Sequence, residues 1–370
     1  MKLNKHRLWY ILCAVLALLA LVCVWVFNWL GGVLIAQQRA EVWQGESDTR
    51  FSQVSVFFPV DAKAGLDDVY SFRSGLESRL LEVSLEPGED ARYWCDAYST
   101  MTSLTVASSA DSVEAAAIAV GGDFFQFHPL YLLDGGYFSD DDLMEDLVVL
   151  DEELAWKLFS SNAITGQTVT VGGYPFIVSG VVDREDDFAD TRAYTGGAGI
   201  YLSYGALTKL VGSEPGISCY ELILANPVSG FAKGVITDTF SEEKNVVVEN
   251  STRFNVGSIF QIMGSFGEWS MNTRGVVFPY WENAARLIET YMAAALFLIL
   301  LFGALPALCA LILIVKTAIK YWRKFTDFLP RFWEARREAR WAAEEAGGDV
   351  PPPKKSRPGK HSASRKGKNR

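Results

Sequence analysis

Between Arg7 and Arg39 the chain has no charged residue for 31 positions (Leu8–Gln38), and between Glu289 and Lys316 it has none for 26 (Thr290–Val315). Leu, Ala and Val dominate both runs. A helix needs about 20 apolar residues to cross a hydrocarbon core of about 30 Å, so each run is long enough to span a bilayer. Trp9 and Tyr10 open the first run, and Trp25, Phe27 and Trp29 lie near its far side, where aromatic rings favour the interface. The first run exceeds the roughly 7–15 apolar residues of a cleavable signal, and no small-x-small cleavage pattern follows it. It reads as an uncleaved anchor.

Charge orients these spans. Lys2, Lys5 and Arg7 precede the first, and Lys316, Lys320, Arg323 and Lys324 follow the second. Basic residues gather on the cytoplasmic side, so both termini are expected in the cytoplasm and the middle outside. The net charge of −10 hides this polarity: residues 316–370 hold 16 basic and 6 acidic groups, whereas residues 8–315 hold 15 basic and 38 acidic ones. The resulting map is a cytoplasmic N-terminus (1–7), a first span (8–36), an extracytoplasmic domain (37–285), a second span with its lead-in helix (286–315), a basic amphipathic helix (316–346) and a basic tail (347–370). The expected location is a bacterial plasma membrane.

The outer segment reads as α+β. Phe51–Phe58 has strand character. Leu66, Val69, Phe72, Leu76 and Leu80 then recur at three- and four-residue steps, which makes one helical face. A second strand is expected near Arg92–Tyr98, after a polar loop. The same order returns later, with a strand at Tyr220–Ala225, a helical stripe of Phe231, Val235, Ile236 and Phe240, and a closing strand at Asn245–Val248. Two such βαβ units suggest a ferredoxin-like lobe (about 50–104 and 211–250) interrupted by a β-rich insertion (about 105–210). Within the insertion, Gly172-Gly173 between two β-rich runs signals a hairpin. Ser139 with Asp142 resembles a capping box that opens a short helix, and Asp151 is a candidate cap for another. Trp281–Met292 reads as a helix running into the second span.

The Gly121–Ser139 segment contains Gly121, Phe124 and Phe125 in a G-x-x-F-F step, followed by Leu132, Gly135 and Phe138 in an L-x-x-G-x-x-F element. With the Val148–Phe159 and Gly166–Val182 blocks, it resembles the MacB-like periplasmic core domain. That resemblance implies a permease subunit of a MacB/FtsX-type ABC transporter, with an ATPase in the cytoplasm and helix motion transmitted to the ectodomain. Permeases of this family carry four spans and this sequence shows two, which implies a multi-span permease as a further partner, or a homo- or heterodimer. The rival reading is a stand-alone envelope binding or scaffolding module.

Catalytic signals are sparse. Gly359-Lys360 and Gly367-Lys368 lack the upstream glycine of a phosphate-binding loop. Of three histidines only His128 lies outside, too few for a His-based nucleophilic site or a His-rich zinc site, and a structural role is expected for it. The acidic runs at Asp140–Asp142, Asp151–Glu153 and Asp183–Asp190 lack calcium-loop spacing and read as solvated surface and caps. No enzymatic activity, cofactor or metal is expected. Cys95 and Cys219 are the two cysteines outside, both on expected strands, and are candidates for a disulfide; two separate buried thiols would give the same pattern.

In the tail, Trp322, Phe325, Phe328, Phe332 and Trp333 are mixed among basic residues. This reads as a helix on the inner membrane surface, broken at Pro330, with Lys316, Lys320, Arg323 and Lys324 contacting anionic lipid or docking on an ATPase. No aromatic interleaving or fold supports nucleic-acid binding.

Overall fold

The computed structural model describes residues 5–46, 49–62, 64–83, 92–139, 142–194, 198–269 and 275–345. Two compact units divide the chain: residues 14–303, and residues 1–13 with 304–370.

In the larger unit the described strands are β1 (Phe51–Phe57), β2 (Trp94–Ala107), β3 (Ser112–Gly122), β4 (Tyr131–Gly135), β5 (Leu147–Asp151), β6 (Thr168–Val171), β7 (Tyr174–Asp183), β8 (Gly199–Ser203), β9 (Cys219–Ala225) and β10 (Val246–Glu249). They form one sheet in the order β10-β1-β9-β2-β3-β8-β5-β7-β4, with β6 paired to β2 and β7. The first four in that order pair antiparallel throughout. β2, 14 residues long, pairs with β9 from Trp94 to Ser99 and with β3 from Ala97 to Ala107, which carries the sheet continuously from one part to the next.

The helices Leu66–Glu82 and Phe231–Thr239 cover one face of the antiparallel quartet. Val69, Phe72, Leu76 and Leu80 of the first pack with Ala232, Val235 and Ile236 of the second against Val54, Val56, Tyr220, Leu222 and Leu224. β9 is buried at every position, so its side chains serve two cores rather than alternating core with solvent. Cys219, Ile223 and Phe57 face the other way, into a core shared with Phe27 and Leu30 from the end of the first apolar helix, Leu34 just after it, and Trp281, Ala285 and Ile288.

The hairpin at Gly172–Gly173 is present: both residues have positive φ (55° and 92°) and join paired β6 and β7, as a two-residue turn matched to strand twist requires. Asp151 caps the helix Glu152–Phe159, accepting from the Leu154 N–H at 2.7 Å. Ser139 and Asp142 form no helix. The Ser139 N–H donates to the Asp142 carboxylate and the Asp142 N–H to the Ser139 carbonyl, and β5 begins at Leu147.

Two described helices are long and apolar enough to cross a membrane, Leu8–Gly31 and a segment of Tyr280–Glu345. The second is one continuous helix of 66 residues that contains Pro306 and Pro330. The expected break at Pro330 does not occur. Proline removes one hydrogen bond of the ladder and strains the turn before it, at a cost of about 3 kcal/mol, and the flanking turns carry the helix on. In the smaller unit the Cys13 and Cys309 sulfurs lie 3.6 Å apart. The expected tail 347–370 lies outside the described residues.

Candidate functional site

On β1, the residues on the face opposite the helices are polar as well as apolar: Gln53 and Ser55 alternate with Phe51 and Phe57. On β9 the same face carries Glu221 between Cys219 and Ile223. An isolated amphipathic strand would turn such a face to water. Here three segments cover it: Ile35–Gln44 after the first apolar helix, Asn250–Arg253 after β10, and the start of the Tyr280–Glu345 helix. The polar groups are therefore buried and pair with one another.

Arg253 lies at the centre of this arrangement, 4% exposed. Its guanidinium donates to both carboxylate oxygens of Glu282 (2.8 and 3.1 Å), to Glu289 (3.0 Å) and to Gln37 (3.1 Å). This fork joins the segment after β10, the segment after the first apolar helix, and two turns of the helix that enters the second apolar run. Burial by itself would lower the Arg253 pKa, but the two glutamates overcome that and hold the guanidinium charged well above its ordinary range. Burial pushes the Glu282 carboxyl up, Arg253 pulls it down, and the like charge of Glu289 adds to the rise.

The network continues into the sheet. Asn250 donates to Ser55 at 2.7 Å, Ser55 donates to Glu221 at 3.1 Å, and Glu221 is 2.5 Å from His128 Nε2. His128 is fully buried, with its ring 4.3 Å from Trp281 and 4.7 Å from Phe124. Phe124 packs edge-on against Trp281 at 5.8 Å, and Phe125 stacks on Tyr137 at 4.3 Å. The Gly121–Ser139 segment is thus the seat of the second apolar helix. Gly121 is needed at its entry, because a Cβ there would stand 2.1 Å from the Tyr98 ring.

This network keeps every member 4% exposed or less. It is a rigid, charge-paired joint between the sheet and the helices that lead to both apolar runs. Removing one member of a buried pair costs far more than the pair contributes, so the joint favours one arrangement of these segments strongly. Sequence reasoning placed His128 in a structural role but missed Arg253, Glu282, Glu289, Asn250 and Glu221. The one signal available was Glu282 and Glu289 seven residues apart on a helix entering an apolar run, which puts both on one face.

Cys95 and Cys219 are both free and buried, and the disulfide reading is corrected by the register. On antiparallel β2 and β9, Cys95 opposes Ile223 and Cys219 opposes Ser99. Four residues of strand separate the two, about 13 Å along the chain, whereas a disulfide needs Cα atoms about 4.4–6.8 Å apart. Burial pushes both thiols well above their ordinary pKa. Lys316, Lys320, Arg323 and Lys324 lie on the Tyr280–Glu345 helix in the smaller unit, all exposed, as are Trp322, Phe325, Phe328, Phe332 and Trp333.

Residues 72–228 match the family model of the MacB-like periplasmic core domain. The macrolide export ATP-binding/permease protein MacB of Chromobacterium violaceum is 40% identical over 76 residues, 20% of this chain and 12% of that protein. The protein of the same name from Agrobacterium fabrum is 37% identical over 90 residues, 24% of this chain and 14% of that protein. The chain therefore aligns with about one eighth of the length of these curated relatives. Among solved structures, the periplasmic region of MacB from Actinobacillus actinomycetemcomitans has a TM-score of 0.41 at 17% identity, over 54% of this chain and 89% of that one. The extracellular domain of the noncanonic ABC-type transporter YknZ from Gram-positive bacteria gives 0.37 at 15% identity, over 54% of this chain and all of the other. With two apolar helices flanking it, the domain fits an inner-membrane protein with an extracytoplasmic region. The Phe124–His128 seat, Tyr98 and Glu221 all fall inside the matched segment, and residues 72–228 of this chain are a MacB-like periplasmic core domain.

Proposed function

We propose that this chain is a non-catalytic, permease-like subunit of a MacB/FtsX-type ABC system, and that its ectodomain is mechanically coupled to its spans. The observation that carries this reading is the Arg253–Glu282–Glu289 joint, continued through Asn250, Ser55 and Glu221 to His128. A helix displaced by a cytoplasmic motor would move Glu282, Glu289 and Trp281 together, and the paired network would carry that displacement to β1 and β9. In this reading the β10-β1-β9-β2 quartet with its two helices is the ferredoxin-like lobe, and the strands from β3 to β8 form the inserted β-rich lobe that meets an extracytoplasmic substrate or partner.

Both termini would be cytoplasmic. The exposed Lys316, Lys320, Arg323 and Lys324 would attract anionic lipid at about 1 kcal/mol each, or dock on the ATPase. Hydrolysis of ATP would belong to that partner.

The test is brief crosslinking in the native membrane, mild-detergent purification and identification of what co-purifies. An ABC ATPase together with a multi-span permease, lost when residues 316–346 are deleted, is the expected result. Recovery of envelope proteins alone, under conditions that keep a known ABC complex intact, would overturn it in favour of a stand-alone binding module.

A further inference from the structure

The stretch from Val315 to Trp333 belongs to the Tyr280–Glu345 helix and lies in the smaller unit. Nine large apolar or aromatic side chains within it are exposed. A contiguous apolar surface of this kind marks a place that a partner or a membrane covers.

Its spacing narrows the choice. Written as heptads starting at Val315, the a and d positions are Val315, Ala318, Trp322, Phe325, Leu329 and Phe332, apolar without exception. Ala304, Leu308 and Leu311 continue the same register back into the apolar run. The flanking e and g positions are Ile319, Tyr321, Thr326, Phe328 and Trp333. Thr326 donates its hydroxyl to the Arg323 carbonyl at 2.9 Å, so that group needs no other partner. The b, c and f positions hold only polar residues and Pro330, with Lys316, Lys320, Arg323, Lys324 and Arg331 among them. A seven-residue repeat with charge confined to b, c and f is the pattern of a helix that packs lengthwise on another helix.

Backbone continuity argues against the bilayer as the cover. The helix runs unbroken past Lys316, and the first proline beyond that point is Pro330. A straight helix rises about 1.5 Å per residue, which carries Trp333 about 26 Å beyond the end of the apolar run. The polar layer on each side of a bilayer is only about 5–7 Å deep, so it reaches about the first turn of the seam.

We propose that the seam is covered by the same segment of a second copy of this chain, in a parallel coil that prolongs the second span. The parallel direction follows from the membrane, since two copies inserted with one orientation run these helices the same way. In that pairing Lys316, Lys320, Arg323, Lys324 and Arg331 point away from the partner copy, so these like charges do not meet across the seam. The proposal does not depend on an ATPase partner.

The full chain in liposomes tests it, with Cys13→Ala, Cys23→Ala and Cys309→Ala removing the thiols of the spans. Single cysteines are placed in turn at 318, 322, 325, 329 and 332, and at 316, 320, 323, 324 and 327. Copper-catalysed oxidation should link two copies through the first set and leave the second set largely unlinked. Linking through Phe325→Cys should fall about tenfold when Leu329→Lys is added, and stay unchanged with Asp327→Lys on the outer face. Equal linking in both sets, or linking indifferent to Leu329→Lys, overturns the proposal. Seam cysteines that react instead with a lipid-anchored maleimide overturn it in favour of the membrane. Near-UV ellipticity reports whether each variant folds, and the pattern of the cysteine series, which introduces no charge, decides the matter should Leu329→Lys not fold.

Discussion

Replacing Arg253 with methionine leaves Glu282 and Glu289, 1% and 4% exposed, without their ion-pair partner, with Arg286 acting on Glu282 only from beyond ion-pair contact. Five hydrogen bonds donated by the guanidinium vanish, at 2.8 and 3.1 Å to Glu282, 3.0 Å to Glu289, 3.1 Å to Gln37 and 3.5 Å to Asn250. Stripping one partner from a buried ion pair costs about 3–5 kcal/mol, and here two carboxylates are stranded, so the upper end is expected. Against a total stability of roughly 5–15 kcal/mol, that is a large fraction. The cost arises from stranded charge rather than from lost packing, which the long apolar side chain largely preserves. Neutralising both glutamates in the same background, as Arg253→Met/Glu282→Gln/Glu289→Gln, should therefore recover at least half of the loss, a strongly non-additive result. Denaturant-induced loss of near-UV ellipticity, measured on the full chain in detergent, reads all three proteins. A single-variant loss below about 1 kcal/mol, or a triple variant no more stable than the single, would refute the buried-joint reasoning.

Three further outcomes are expected. Unfolded without reductant, the protein should expose both Cys95 and Cys219 to a maleimide, because the β2–β9 register holds them four residues apart; protection of the pair would contradict that register. Asp190→Asn should stabilise the protein in a pH-dependent way. A carboxyl raised by burial from 3.8 to about 9 contributes nothing adverse below the unfolded value and costs increasing stability as pH climbs towards 9. The stability difference between variant and parent, read from denaturation curves, should thus be absent near pH 4 and grow through neutrality, on the order of 4 kcal/mol at pH 7; Asp187 and Glu185 are the charged groups facing it, and a difference independent of pH would refute the assignment. Gly121→Ala should cost about 1–3 kcal/mol, since its Cβ would meet the Tyr98 ring at 2.1 Å, and Tyr98→Leu in the same chain should return part of it on the same denaturation curve.

What a local stretch of sequence decides was legible. The uncharged run that begins at Leu8 makes a membrane-length helix, Leu8–Gly31, and two glycines between β-rich runs close a hairpin because few other residues accept positive φ twice. The Asp151 cap is local in the same sense, acting on a backbone N–H three residues away. The Gly121–Ser139 blocks marked the domain. Local signals misled where continuity or neighbours mattered: Pro330 reads as a stop, yet the helix passes through it, and Ser139 with Asp142 reads as a helix start, yet β5 follows too soon.

Tertiary structure alone decided the rest. Two cysteines on adjacent strands can be bonded or far apart depending on register, and register is set by every pair along the ladder at once. Gln53, Ser55 and Glu221 would line a wet face on any isolated strand. They became a buried joint only because Asn250–Arg253, which begins 195 residues beyond Ser55, and Glu282–Glu289 fold over them. The charge of each residue is written in the sequence, but its partner is not, since a buried ion pair is chosen by what surrounds it and not by spacing along the chain.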